Sequence, residues 1–147
     1  MLSLKLVHLI ERHSEQLARG LCEKLRRCDK TSDFLRVPSE ELEAAAFEIY
    51  RHLGEWLLTK TESDIEVLYK EIGARRAAQG ISIADWIWGI VLTKEHLWGF
   101  LQRESLLDRP FELYGELELL RLLDQFFDRA IYYGVLGYNE VSMQKAA

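Results

Sequence analysis

Apolar residues recur along this chain at intervals of three, four and seven, the spacing of one face of an α-helix, and nowhere with the alternation of a half-buried strand. The first stripe, Val7, Ile10, Leu17, Leu21, Leu25 and Cys28, predicts a helix from about Ser3 to Cys28. Ser14 lies in that stripe as a small polar residue where a neighbour can approach closely. The segment DKTSDFLRVPSEE breaks the pattern, and Pro38 stops a helix from running straight through it. Ser39, followed by Glu40 and Glu41, supplies an N-cap and first-turn acids for a second helix with Leu42, Ala46, Ile49, Leu53, Trp56 and Leu57 on one face. Thr61 to Asp64 has the form of a capping box. It opens a third helix, about Glu62 to Gln79, with Ile65, Leu68, Tyr69, Ile72 and Arg76 on one side and Gly80 placed to close it.

The last two helices carry a denser pattern. Ser82 with Asp85 caps a fourth helix whose main stripe is Ile83, Trp86, Ile87, Ile90, Val91, Leu97, Trp98 and Leu101, yet Trp88, Leu92 and Phe100 lie off it. A fifth helix, from about Pro110 to Asn139 or beyond, has Leu113, Leu117, Leu120, Phe127, Ile131 and Tyr138 on one stripe. Leu119, Leu122, Phe126, Tyr133 and Leu136 form a second. A helix that is apolar on more than one side is buried on more than one side. The expected fold is all-α: a single domain over residues 1–147, a four- to five-helix bundle, with globin-like crossing as the way to bury both faces within one chain. The surplus apolar surface is otherwise expected to serve a homodimer, with Trp98, Leu119, Leu122, Phe126, Tyr133 and Leu136 as interface or relay candidates.

Charge and length narrow the function classes. A formal net charge of −5 gives no general drive toward nucleic acid or an anionic membrane. The run Trp86 to Leu92 falls far short of the ~20 residues needed to span a bilayer, and MLSLKLVHLI is interrupted by Lys5 and His8. Cys22 and Cys28 form no Cys-x-x-Cys motif and read as reduced thiols. A soluble, cytoplasmic protein is expected.

Catalysis needs convergent polar groups, and the sequence supplies none of the phosphate-binding loops or nucleophile turns that announce them. None of His8, His13, His52 and His96 has Glu three residues before it, which excludes the usual di-iron pattern. The pairs His8–Glu11 and His52–Glu55 run in reverse order and suit chance spacing on charged helices. The expectation is therefore a protein that is not an enzyme and holds no metal or cofactor. His96 and Trp88 are the candidates should an apolar ligand or tetrapyrrole be bound, although a histidine near a core is more often a hydrogen-bonded structural residue. Arg75 and Arg76 could pair with a carboxylate or phosphate; their place near a helix C-terminus is the simpler account. Trp86 and Trp98 lie roughly 18 Å apart along one helix, so the tryptophans cannot all line one small cavity.

The stretch IGARRAAQGISIADWIWGIVLTKEHLWGFL resembles the RsbRD-type N-terminal domain, a helical regulatory module of bacterial sensor proteins. The residues that carry the likeness are Arg75, Arg76, Gln79, Gly80, Ile83, Asp85, Leu92, Glu95, Leu97, Trp98 and Leu101. The opening LVHLIERHSEQLARGLCEKLRR fits as well, so the resemblance spans nearly the whole chain. Where such domains commonly carry charge in the middle of the fourth helix, this chain has Gly89, Ile90 and Val91. The resemblance implies a place before an output module such as a histidine kinase, a STAS domain or a transcriptional regulator. The chain is accordingly expected to be the sensor segment of a longer protein.

Overall fold

The structure, a computed structural model, describes residues 4–104 and 113–146. Among these residues the fold is all-α, as the periodicity predicts: seven α-helices and one 3-10 segment, with no strand. The helix count exceeds five because two of the expected helices bend.

Helices α1 (Leu4–Arg12) and α2 (Ser14–Arg27) occupy the span expected of the first helix, and α3 (Ser39–Arg51) and α4 (Leu53–Leu58) that of the second. Each arm of this hairpin turns at a histidine, His13 (φ −100°, ψ 17°) and His52 (φ −112°, ψ 24°). Apolar spacing continues through both bends, so periodicity does not reveal them. Because α1 packs on α4 and α2 on α3, the bends lie at the same level. There the Glu11 carboxylate accepts the Gly54 amide at 2.9 Å, satisfying a donor that the start of a helix leaves open.

The segment after α2 is a 3-10 run, Asp29–Arg36. Fully buried Thr31 donates its hydroxyl to the Leu25 carbonyl at 2.7 Å, closing the end of α2. Pro38, rather than Ser39, stands at the cap of α3, and no side chain caps that end. The Pro38 carbonyl accepts the Glu41 and Leu42 amides, so the helix is already under way at Ser39. The Thr61 capping box at the head of α5 (Glu62–Ala78) is complete in both directions, at 2.9 and 3.2 Å. Gly80, with φ 79°, closes the end of α5 in the left-handed region.

Ser82 caps α6 (Ile83–Glu104), accepting the Asp85 amide at 3.2 Å. Its own amide donates to Asp33 at 2.8 Å, while the Asp33 amide donates to Asp85 at 2.9 Å. The two aspartates thus fasten the 3-10 segment to the head of α6. Helix α7 (Leu113–Ala146) is 34 residues long, about 51 Å at 1.5 Å per residue. Its expected start at Pro110 lies outside the described residues.

The most extensive contact joins α5 to α7. The buried stripe of α7 is Leu119, Leu123, Phe126, Phe127, Ala130, Gly134 and Gly137, a single face at helical spacing. This corrects the two-stripe reading: Leu119, Phe126 and Phe127 share one face, and Leu117 is 52% exposed. Toward the C-terminus the stripe shrinks from phenylalanine to glycine, and the backbones close in. A Cβ on Gly73 would overlap the Gly134 carbonyl, and one on Gly137 the Lys70 carbonyl. A Cβ on Gly134 would also overlap the ring of Trp86, which is 2% exposed and lies against that glycine from α6. Tyr138 then donates to the Ile81 carbonyl at 2.7 Å, tying α7 to the α5–α6 turn.

Replacing Gly134 with Ala should therefore lower stability by roughly 3 kcal/mol, the upper part of the usual overpacking range, or about 6–12 °C in melting midpoint. Gly99 is the control, because a Cβ there meets nothing nearer than the tip of Arg103 at 3.4 Å. Gly99→Ala should raise stability by roughly 0.5–1 kcal/mol through helix propensity. Circular dichroism melts of the two variants check both signs.

Candidate functional site

The Arg-Arg-x-x-Gln-Gly stretch is assembled at the C-terminal end of α5. Arg75 is exposed and pairs with Glu71 at 3.4 Å, one turn back on the same helix. Arg76 faces the other way, its side chain 4% exposed. Its Nη1 donates to Glu41 Oε1 at 3.1 Å and to Gln79 Oε1 at 2.8 Å, and Gln79 Nε2 donates to the same Glu41 oxygen at 2.9 Å. Position at a helix end accounts for Arg75; for Arg76 the structure corrects that account, since the carboxylate of Glu41, on α3, is its partner. Burial pushes the Arg76 guanidinium down, and the Glu41 hydrogen bond pulls it back up. The Gln79 bond leads the causes that hold Glu41 below its ordinary value. Gly80 completes the turn, with Arg36 Nη1 donating to its carbonyl at 2.8 Å.

His96 lies in the crossing of α2 and α6, 7% exposed. Its Nε2–H donates to the Leu17 carbonyl at 3.0 Å, which fixes the tautomer and leaves Nδ1 buried without a partner among the described residues. Gly20 faces the ring so closely that a Cβ would stand 2.9 Å from Cε1. These contacts make His96 a structural residue of the helix crossing. Trp88, the other ligand candidate, sits half-buried beneath the Lys30 ammonium, 4.3 Å from the ring centroid. His96 and Trp88 lie eight residues apart on α6, about 12 Å along the helix axis. Among the described residues no group of three or more His, Cys, Asp or Glu is placed to hold a metal ion, and no helix is long and apolar enough to cross a membrane.

Part of the half-buried apolar surface lies where α6 and α7 run side by side. Ile83, Ile87, Val91, Lys94 and Trp98 share one side of α6, and Leu120, Asp124, Ile131, Val135 and Tyr138 one side of α7. Lys94 reaches Asp124 at 3.4 Å, setting the two rows beside each other. Of the six expected interface residues, Trp98 lies on this face. Leu119 and Phe126 are buried inside the chain at 0% and 2% exposure. Leu122, Tyr133 and Leu136 are half-buried on the opposite flank of α7, the flank from which Arg129 reaches Glu62 at 2.8 Å. Periodicity identified the apolar positions of α7 and could not say which flank each would occupy.

Burial, and then the Lys24 charge, bring the His96 imidazole down to about 4, whereas an unfolded histidine titrates near 6.5. Between these values the unfolded chain binds a proton that the folded chain refuses, so stability falls with pH across the window. The loss is on the order of 3 kcal/mol, fully developed below about pH 4. Urea unfolding at a series of pH values should show this slope in the native chain. In His96→Gln it should vanish, leaving the steeper loss at lower pH where Asp33, Asp64 and Glu41 take up protons.

The network joins Arg76 and Gln79, two residues of the Arg-Arg-x-x-Gln-Gly stretch, to Glu41 on α3. The family model described as "RsbT co-antagonist protein rsbRD N-terminal domain" matches residues 11–146. No curated protein and no solved structure matches the chain. With all but its first ten residues and its last one matched, the chain belongs to the rsbRD N-terminal domain family, a family of regulatory domains of stress-signalling proteins.

Proposed function

We propose that the chain is a non-catalytic sensory domain that forms a homodimer through the α6–α7 face and relays a signal along α7 to an output domain. The output module would be a histidine kinase, a STAS domain or a transcriptional regulator. The observation that carries the reading is the paired row of half-buried apolar side chains on α6 and α7, with Trp98 at one end. A two-fold axis beside this face would bring two such helix pairs together as a four-helix bundle.

The relay follows from how α7 is held. Backbone contact at Gly73, Gly134 and Gly137 leaves no soft layer of side chains between α5 and α7. A displacement of α5 is therefore passed to α7 with little damping. Trp86 adds a second input, because its ring rests on Gly134. A signal works through this device only by favouring one arrangement of the helices over another.

Native mass spectrometry of the purified chain at micromolar concentration should show a dimer. Trp98→Ala should weaken dimerisation at least tenfold. It should also cost the folded protomer clearly less than the roughly 3–5 kcal/mol typical of a fully buried tryptophan, because Trp98 is half-buried. A monomer in the native chain, or a full core-sized loss with the dimer intact, would overturn the assignment of this face.

A further inference from the structure

Between α2, α3, α5 and α6 lies a cavity of about 80 Å³, walled mainly by apolar side chains that include Leu21, Leu25, Phe34, Ile49 and Trp86. At roughly 10–15 Å³ for each water-sized group, it holds about five to eight non-hydrogen atoms. That is far below the several hundred Å³ of a typical cofactor or drug site, so a tetrapyrrole does not fit. An inorganic anion or a cluster of waters would find few partners on such walls. Half-buried Ile72, Ile90 and Thr93 also line the cavity and place it within reach of the surface.

Three polar side chains interrupt the apolar wall: Thr93, whose hydroxyl donates to the Gly89 carbonyl at 2.8 Å, and Tyr69 and Arg76, seven residues apart on one face of α5. Arg76 spends Nη1 on Glu41 and Gln79; the N–H groups on Nε and Nη2 have no partner among the described residues. Such an edge of a guanidinium is the fork that a carboxylate meets with two parallel hydrogen bonds. The Tyr69 hydroxyl, on a side chain 3% exposed, is likewise without a partner among the described residues. An acceptor placed on these open donors would make charge-assisted hydrogen bonds in mainly apolar surroundings.

We propose that this cavity binds a short-chain monocarboxylate of about four carbons, its alkyl part among the apolar walls and its carboxylate on the open edge of Arg76. Size sets the chain length, the apolar walls exclude a dicarboxylate or a phosphate, and the guanidinium selects the carboxylate over an alcohol or an amine. Because Trp86 is both a wall of the cavity and the ring seated on Gly134, occupancy would be felt at α7. The binding claim stands without the proposed relay; its regulatory consequence rests on it.

Sodium butyrate is the probe, titrated into the purified chain and followed by calorimetry and by amide and indole NMR shifts, with butan-1-ol and butylammonium in parallel. Saturable one-to-one binding is expected, with shifts at Trp86 and Arg76 and with butan-1-ol and butylammonium at least tenfold weaker. Ala46→Leu, which fills the cavity from its wall, should keep the fold and weaken butyrate at least tenfold. Arg76→Met should bring butyrate down to the affinity of butan-1-ol. The site is overturned by the absence of saturable shifts at millimolar butyrate, by equal affinity for butan-1-ol in the native chain, or by undiminished binding in folded Ala46→Leu. Native mass spectra of the same samples separate the two proposals: a monomer that binds butyrate refutes the dimer and keeps the site, and a dimer that ignores butyrate does the reverse.

Discussion

The contact on which the architecture turns is the backbone approach of α5 and α7. Helices normally meet through interlocked side chains, with axes 8–10 Å apart. Here Gly73, Gly134 and Gly137 remove the side chains where the helices meet, and each position would overlap main-chain atoms or Trp86 if a Cβ were added. Three mid-helix glycines carry a cost in helix propensity of roughly 1 kcal/mol each. The return is close packing, a seat for the large Trp86 indole, and a line of α5, α7 and α6 atoms with almost no adjustable layer. The phenylalanines and leucines farther along α7 extend this contact into the core rather than creating it.

Around that line, the fold is held in register by carboxylates reaching from one element to the backbone or side chains of another. Glu11 receives the Gly54 amide, Asp33 the Ser82 amide, Asp85 the Asp33 amide, and Glu41 both Arg76 and Gln79. Each such bond sits where a helix begins or ends and its backbone is short of partners. Apolar packing alone would tolerate a helix sliding by a turn; these directional bonds do not. The buried Arg76 is the most demanding of the group, since one carboxylate oxygen serves Arg76 and Gln79 together and leaves part of the guanidinium unspent.

What the sequence makes legible is whatever has a local signature. Thr61–Asp64, Gly80 and Ser82 carry their chemistry within four residues, and each does what its spacing implies. The bends at His13 and His52 have no such mark, because the apolar stripe passes through them and no proline stands at either turn. The α5–α7 seam was invisible for a different reason: alanine and glycine add nothing to an apolar count, so the buried face of α7 vanished from view at Ala130, Gly134 and Gly137. Its larger neighbours then fall into two apparent stripes. Glu41 is the first-turn acid its position implies, but its 35-residue reach to Arg76 is a property of the fold.

The facing bends have a consequence for how the molecule comes apart. Helix α1 has nine residues and α4 six, both shorter than an isolated helix needs to persist in water. Neither inherits stability by simple continuation from α2 or α3, because the bend interrupts the ladder of hydrogen bonds on each arm. They are held by one another, with Glu11 spanning them and Leu6, Val7, Ile10 and Leu53 buried between them and the core. This end of the hairpin is thus expected to open as a pair, a breathing motion that would part Trp56 from Phe126 on α7.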